Sequence, residues 1–215
     1  MEPFIRKQDY NYINRCLKDL SNAFRNCSDR HTVEMTKNYI QDKILNHFQV
    51  LSEEQTTLLE IRHLKDASEI PNVSNQLLPY VYGMPLANNS DFKKIFKKEK
   101  KLNLPDYSIQ DGIYVYLGWI DYATQKLFIV HQVDGQLLGM SCQIPKVPHK
   151  QTNVCALCHH IGPKSEVAFV SPIYKRKEDY HSLGFYMCLD TQACNERIVS
   201  TEKLETILKK VNNIK

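Results

Sequence analysis

Cys155-Ala-Leu-Cys158, followed by Cys188 and Cys194, is the stretch that decides how the second half of this chain folds. The pattern is C-x2-C, a gap of 29 residues, then C-x5-C. Each pair fits on one turn, so two thiolates can point at one ion, and the residues between form the element that brings the pairs together. Four thiolates close a tetrahedral zinc site and leave no position for water or substrate. The spacing therefore predicts one structural zinc rather than a catalytic one. Disulfides and buried free thiols are the competing readings. Seven cysteines do not suit a closed disulfide framework. The start Met-Glu-Pro-Phe-Ile-Arg-Lys has no apolar signal core, which predicts a cytoplasmic, reducing location. Cys16 and Cys142 lie among apolar neighbours and read as core filler, and Cys27 is isolated. His159 and His160 could replace a cysteine as ligand, but four thiolates already close the site.

Around the cysteines, Val167-Ala-Phe-Val170 and Phe185-Tyr-Met187 read as strands. Cys194 opens a helical stretch through Arg197, and a last helix runs from Ser200 to near Lys210. A knuckle, a hairpin and a helix that donates the last ligand make a treble clef over about 151–200. Tyr174, Lys175, Arg176, Lys177, Tyr180 and Tyr186 mix basic and aromatic residues around the hairpin. That composition suits an interaction surface, and equally a solvated loop. Strand alternation puts Tyr186 on the face opposite Phe185 and Met187.

Upstream lies further β-type sequence, with Ile113-Tyr-Val-Tyr-Leu-Gly-Trp-Ile120 as one strand. Leu127–His131 and Gln136–Cys142 flank Asp134-Gly135, a hairpin-turn signal. Gly118 reads as a gap that lets Trp119 pack closely. Before these, six of the nine residues from Lys93 to Lys101 are lysine, with Phe92, Ile95 and Phe96 as an apolar face. This helix reads either as a patch for nucleic acid or an acidic protein, or as a solvated face whose lysine stems cover the core.

The first half is helical. Tyr12, Ile13, Cys16, Leu17, Leu20 and Phe24 form one stripe over residues 9–26. Ser28 or Asp29 can cap a second helix with Val33, Ile40, Ile44 and Phe48 on one side. Ser52 and Gln55 spell a capping box for a third. A fourth carries Ile70, Val73, Leu77, Leu78 and Val81, and ends or kinks at Pro79. His31, His47 and His63 read as isolated. The expected fold is α+β: a bundle of about four helices over 1–85, then an α/β domain with the four-cysteine treble clef over 86–215.

Charge divides unevenly. Residues 1–85 carry 10 positive and 11 negative side chains, residues 86–215 carry 18 and 13. The positive half suits an acidic partner, protein or nucleic acid. No apolar run approaches the roughly 20 residues that span a bilayer, so no membrane association is expected.

In order along the chain, a helical first half, Phe-Lys-Lys-Ile-Phe-Lys-Lys from Phe92, Leu117-Gly-Trp-Ile120, and Cys155-x2-Cys158 with Cys188-Leu-Asp-x3-Cys194-Asn195 resemble the FusB/FusC-type elongation factor G-binding proteins. The resemblance covers essentially the whole chain and implies the same two-part fold. It further implies binding of elongation factor G, mainly through the zinc domain, and release of that factor from ribosomes stalled by fusidic acid. Its members are not enzymes. Cys155, Cys158, Cys188 and Cys194 match the family's zinc ligands, and Tyr186 matches an aromatic position that contributes to factor binding. Leu183 stands where relatives can carry lysine, and Val154 where they can carry phenylalanine.

The sequence is therefore read as a cytoplasmic, non-enzymatic zinc protein, monomeric and without a small-molecule substrate. It binds elongation factor G and meets the ribosome only indirectly. Tyr186, Leu183, Val154, Tyr180, Lys175, Arg176 and Lys177 are its candidate partner contacts. An RNA-binding zinc protein is the rival, though no base-reading motif appears. A zinc enzyme would need an open coordination site and a neighbouring acid or base, such as His-x-Glu before a cysteine pair, and the sequence has neither.

Overall fold

A computed structural model describes residues 1–85, 87–99, 101–104, 112–144, 151–173 and 183–214. Contacts divide the chain into two compact units, Met1–Tyr82 and Gly83–Lys215.

The first unit holds β1 (Ile5–Arg6), α1 (Lys7–Asn26), α2 (Arg30–Leu45), α3 (Glu53–Leu58), α4 (Ile70–Leu77) and β2 (Val81–Tyr82). Ile13, Cys16, Leu17 and Leu20 of the α1 stripe are buried with Ile40 and Ile44 of α2. Asp29 caps α2 by accepting from the backbone N–H of His31 and Thr32. Ser52 and Gln55 form the expected reciprocal capping box on α3.

Three features escaped sequence reading. The two-residue strands β1 and β2 pair in parallel, Ile5 with Val81 and Arg6 with Tyr82, and so tie the two ends of the unit together. The inner face of α2 is polar at its middle. Lys37 and Gln41 are buried there because α3 is short and the chain after it is irregular, with backbone groups that need partners. Lys37 Nζ donates to Leu64 O at 3.0 Å. Gln41 Nε2 donates to Leu59 O, and its Oε1 accepts from Ile61 N at 2.6 Å. His47 is not isolated either. It stacks on Tyr12 with ring centroids 4.2 Å apart and bonds to buried Asp9.

The second unit contains α5 (Asn89–Ile95), β3 (Leu117–Asp121), β4 (Lys126–Val133), β5 (Gln136–Gln143), β6 (Thr152–Val154), β7 (Ile161–Pro163), β8 (Val167–Pro172), β9 (Phe185–Cys188), α6 (Thr191–Asn195) and α7 (Glu202–Val211). Five strands form one antiparallel sheet in the order β3-β4-β5-β8-β9. β6 and β7 make a separate small hairpin. Asp134 and Gly135, at φ 49 and 79, close the β4–β5 hairpin as a two-residue turn, with both residues left-handed as a type I′ turn requires.

Both faces of β3–β5 are covered, so the strand sequences are nearly continuously apolar. Leu127, Ile129, Leu138 and Met140 share a cluster with Leu204, Ile207 and Leu208 of α7. Phe128, Val130, Leu117 and Trp119 meet Phe92 and Phe96 on the other face. Trp119 stacks on Phe128 and receives both phenylalanines edge-on, while its Nε1 donates to Asn103 O. The expected strand over 113–120 begins only at Leu117, because the backbone N–H groups of Val115 and Tyr116 are taken by the Asn195 side chain. Gly118 is needed for a different neighbour than expected. A Cβ there would come within 2.7 Å of Thr191 Cγ2 of α6. The lysine helix is also shorter than its charge run. α5 ends at Ile95, and Lys97 and Lys98 lie in the turn that follows.

Gln41 offers a direct stability test. Gln41→Leu removes both partners of a buried C=O and N–H, each worth about 1–3 kcal/mol when left unsatisfied. A urea melt should show a loss of about 2 kcal/mol or more in the first unit, whereas exposed Met35→Gln stays within about 0.5 kcal/mol. Equal melts would show that the Gln41 bonds do not hold this unit together.

Candidate metal centre and its surface

The turn between β6 and β7 carries Cys155 and Cys158. His159 closes it at φ 60, with His159 N donating to Cys155 O and Cys155 N to His160 O. Cys188 ends β9. Cys194 sits inside α6, whose N-terminus is capped by the Asp190 carboxylate accepting from Ala193 N. The sequence placed Cys194 at the start of its helix. It lies one turn in, because Asp190 is the better cap.

These elements bring the four sulfurs within 4.8 Å of one another. Cys155 and Cys194 sulfurs are 4.0 Å apart, and those of Cys158 and Cys188 are 3.6 Å apart. A zinc ion bound at about 2.3 Å in a tetrahedron sets sulfur–sulfur edges of about 3.8 Å, so the residues present fit that ion. All seven cysteines are free, and His159 and His160 stay outside the cluster. His160 is engaged with Glu166 at 2.9 Å. The knuckle, the β8–β9 hairpin and α6 together are the treble clef that the spacing predicts.

Two residues of this centre were not singled out from sequence. Asn195, fully buried, accepts from Val115 N and Tyr116 N and donates to Tyr116 O and Thr191 O. It thereby fixes the helix that presents Cys194. Arg197 places Nη2 3.6 Å from Cys188 Sγ, and its Nε is buried with no hydrogen-bond partner among the described residues. Burial works against its charge, but the Cys158 and Cys188 sulfurs outweigh it and hold the guanidinium's pKa up. Asn at Cys+1 was the available signal for the first, an arginine three residues past a ligand for the second.

The same scaffold displays apolar side chains. Phe185 and Met187 are buried, while Tyr186 between them is 39% exposed. Its cross-strand partner Phe169 is equally exposed, with ring centroids 5.4 Å apart. Val154 and Ile161, paired across β6 and β7, are 49% and 65% exposed. A bond from Ala156 N to Tyr186 O joins knuckle to hairpin. Leu183 is half-buried and packs partly on the core. Lys175, Arg176, Lys177 and Tyr180 lie outside the described residues. Among the described residues no helix is long and apolar enough to cross a membrane.

Comparisons with known proteins agree with this architecture. A family model described as the N-terminal part of elongation factor G-binding protein matches residues 4–85, and one described as the FBP C-terminal treble-clef zinc-finger matches residues 90–213. A search of curated proteins gives no match. The solved structure of the fusidic acid resistance protein FusC shares the fold, with a TM-score of 0.78 at 22% identity over 97% of this chain and 98% of that one. Spanning both of its characteristic parts, the chain belongs to the FusB/FusC-type family of elongation factor G-binding proteins.

Proposed function

We propose that this protein binds elongation factor G in the cytoplasm through the surface of its zinc finger and promotes release of the factor from the ribosome, which gives resistance to fusidic acid. The observation that carries this reading is the pair of exposed cross-strand apolar contacts, Phe169–Tyr186 and Val154–Ile161, set on elements that converge on four thiolates. Family membership supports the choice of partner.

One ion held by Cys155, Cys158, Cys188 and Cys194 supplies a cross-link and no open coordination position. What the chain itself does is hold a surface still. Tyr186 sits two residues from Cys188, and its neighbours are locked in the core, so little ordering is left to lose on contact. Val154 adjoins Cys155, and Leu183 leads into β9, so both adjoin the same surface. Lys175, Arg176, Lys177 and Tyr180 add charge and an aromatic ring in the intervening sequence. Positive charge would steer approach to an acidic factor. Binding then biases the factor between conformations only as far as its affinity differs between them, and no covalent step by a monomer of this protein is required.

Two measurements test this. Purified protein should contain about one zinc per chain, and Cys155→Ser or Cys188→Ser should unfold the second unit, since binding energy there is folding energy. A metal-free sample with the full melting temperature would remove the structural role. Tyr186→Ala should weaken binding of elongation factor G by roughly 30-fold in calorimetry, as a buried tyrosine anchor is worth about 2 kcal/mol. The accompanying stability loss should stay near the 0.2–1 kcal/mol or so of one cross-strand pair. Unchanged affinity would place the interface elsewhere.

A further inference from the structure

The geometry points to a second interaction surface on the other side of the sheet's chemistry: the lysines of α5 and its following turn form a site for a nucleic-acid phosphodiester backbone. This goes beyond the factor-binding reading and does not rest on it.

Phe92 and Phe96 are buried edge-on against Trp119 and Phe128, so this short segment is anchored by its apolar side. That anchoring leaves Lys93, Lys94, Lys97, Lys98 and Lys101 exposed. None of the five has a carboxylate within ion-pair distance among the described residues. The nearby acids are committed elsewhere. Asp91 accepts from Asn88 N at the helix cap, Glu99 pairs with Lys126 at 2.7 Å, and Asp134 pairs with Lys209 at 2.7 Å. Glu99 and Asp134 are thus matched by other lysines, while Asp91 keeps its charge at the edge of the larger groove, so the five lysines are left in clear net excess.

Lysines also border a concave surface. Two adjoining grooves of about 380 and 190 Å³ share Ile95, Lys97, Gly139 and Asn212, with Lys94 and Lys98 at their margins. The kind of partner follows from what is missing. Between residues 87 and 104 no described large apolar side chain is exposed. A protein interface is centred on aromatic or apolar anchors, which the zinc finger has in two exposed cross-strand pairs; here Ile173, on the smaller groove and away from the lysine segment, is the one exposed large apolar side chain among the described lining residues. A phosphate backbone needs only closely spaced cations and gives binding that is indifferent to sequence. With no exposed aromatic platform for stacking bases among the described residues of this surface, the contact is to phosphates.

The test uses the full chain and three labelled probes: single-stranded RNA, an RNA hairpin and duplex DNA. Covering about four phosphates of a single strand gives a slope near −3 in log affinity against log salt. Replacing Lys93, Lys94, Lys97 and Lys98 together with Gln should bring that slope close to zero. It should also weaken binding at least tenfold at low salt. Replacement of the same four with Arg should restore both, and neither variant should change the equilibrium capture of elongation factor G, because steering charge away from the contact acts on the rate of approach. Similar binding of all three probes would show recognition of phosphodiester charge in general, and preference for one RNA probe would narrow the partner to RNA. Absence of low-salt binding, or RNA binding unchanged in the Gln variant, would overturn the inference. So would loss of factor capture alone, or of factor and RNA together in a variant with an unchanged melt, because the lysines would then belong to the protein interface.

Discussion

Asn195 uses its whole amide on the backbone around it. One oxygen accepts from two successive N–H groups, of Val115 and Tyr116, and the nitrogen donates to the carbonyls of Tyr116 and Thr191. The side chain is buried, so each of these groups would otherwise be desolvated without a partner. Thr191 Oγ1 adds a bond to Gly118 O, and the missing Cβ of Gly118 lets α6 come that close. Together they dock a one-turn helix against the edge strand of the sheet. Cys194 precedes Asn195, so the same docking aims the fourth sulfur at Cys155. An aspartate at this position could accept both N–H bonds but could not donate to either carbonyl. The metal centre therefore does not rest on its four sulfurs alone. A buried amide sets the direction from which one of them arrives.

The centre's electrostatics separate these cysteines from the others. Burial pushes the lone Cys142 thiol up to about 12, so it stays neutral and fills space. Four thiolates around one divalent ion carry a net double negative charge that burial disfavours. Arg197 lies against two of those sulfurs and offsets part of that charge. Tyr116, buried beside the same sulfurs, is held protonated first by burial and then by their charge. Its hydroxyl thus remains a donor toward Thr191 O.

Local rules made much of this readable, and distance hid the rest. The cysteine spacing, the Ser52–Gln55 capping box and the Asp134-Gly135 turn each involve residues a few positions apart, so sequence alone states the geometry. Asn195 bonds to residues 79 and 80 positions away, and Gln41 to residues 18 and 20 away. The place of Asn195 next to a ligand cysteine marks it as worth notice, but nothing local to either residue states which distant backbone groups it meets. The parallel pairing of β1 and β2 was invisible for another reason: two-residue strands have no periodicity. The α2 stripe read correctly at Ile40 and Ile44 but skipped Lys37 and Gln41, because pattern reading assigns buried positions to apolar residues. Gly118 was readable as a close approach, though not whose.

One construction recurs on the two candidate surfaces. At β9, alternation buries Phe185 and Met187 and turns Tyr186 outward; at α5, helical spacing buries Phe92 and Phe96 and turns the lysines outward. In each case the residues facing inward belong to a tightly fixed cluster, the thiolate centre with its core in one and the Trp119–Phe128 stack in the other. Contact by an already ordered backbone loses less entropy on binding, which is where a small domain gains affinity without a large interface. The two clusters lie on opposite faces of one sheet, since Leu127 and Ile129 enter the first while Phe128 and Val130 enter the second. A strand with period two thus serves both surfaces at once. A one-residue slip in β4 would exchange the two sets of side chains, so the tight Asp134-Gly135 turn that sets its register against β5 is a condition for either surface to exist.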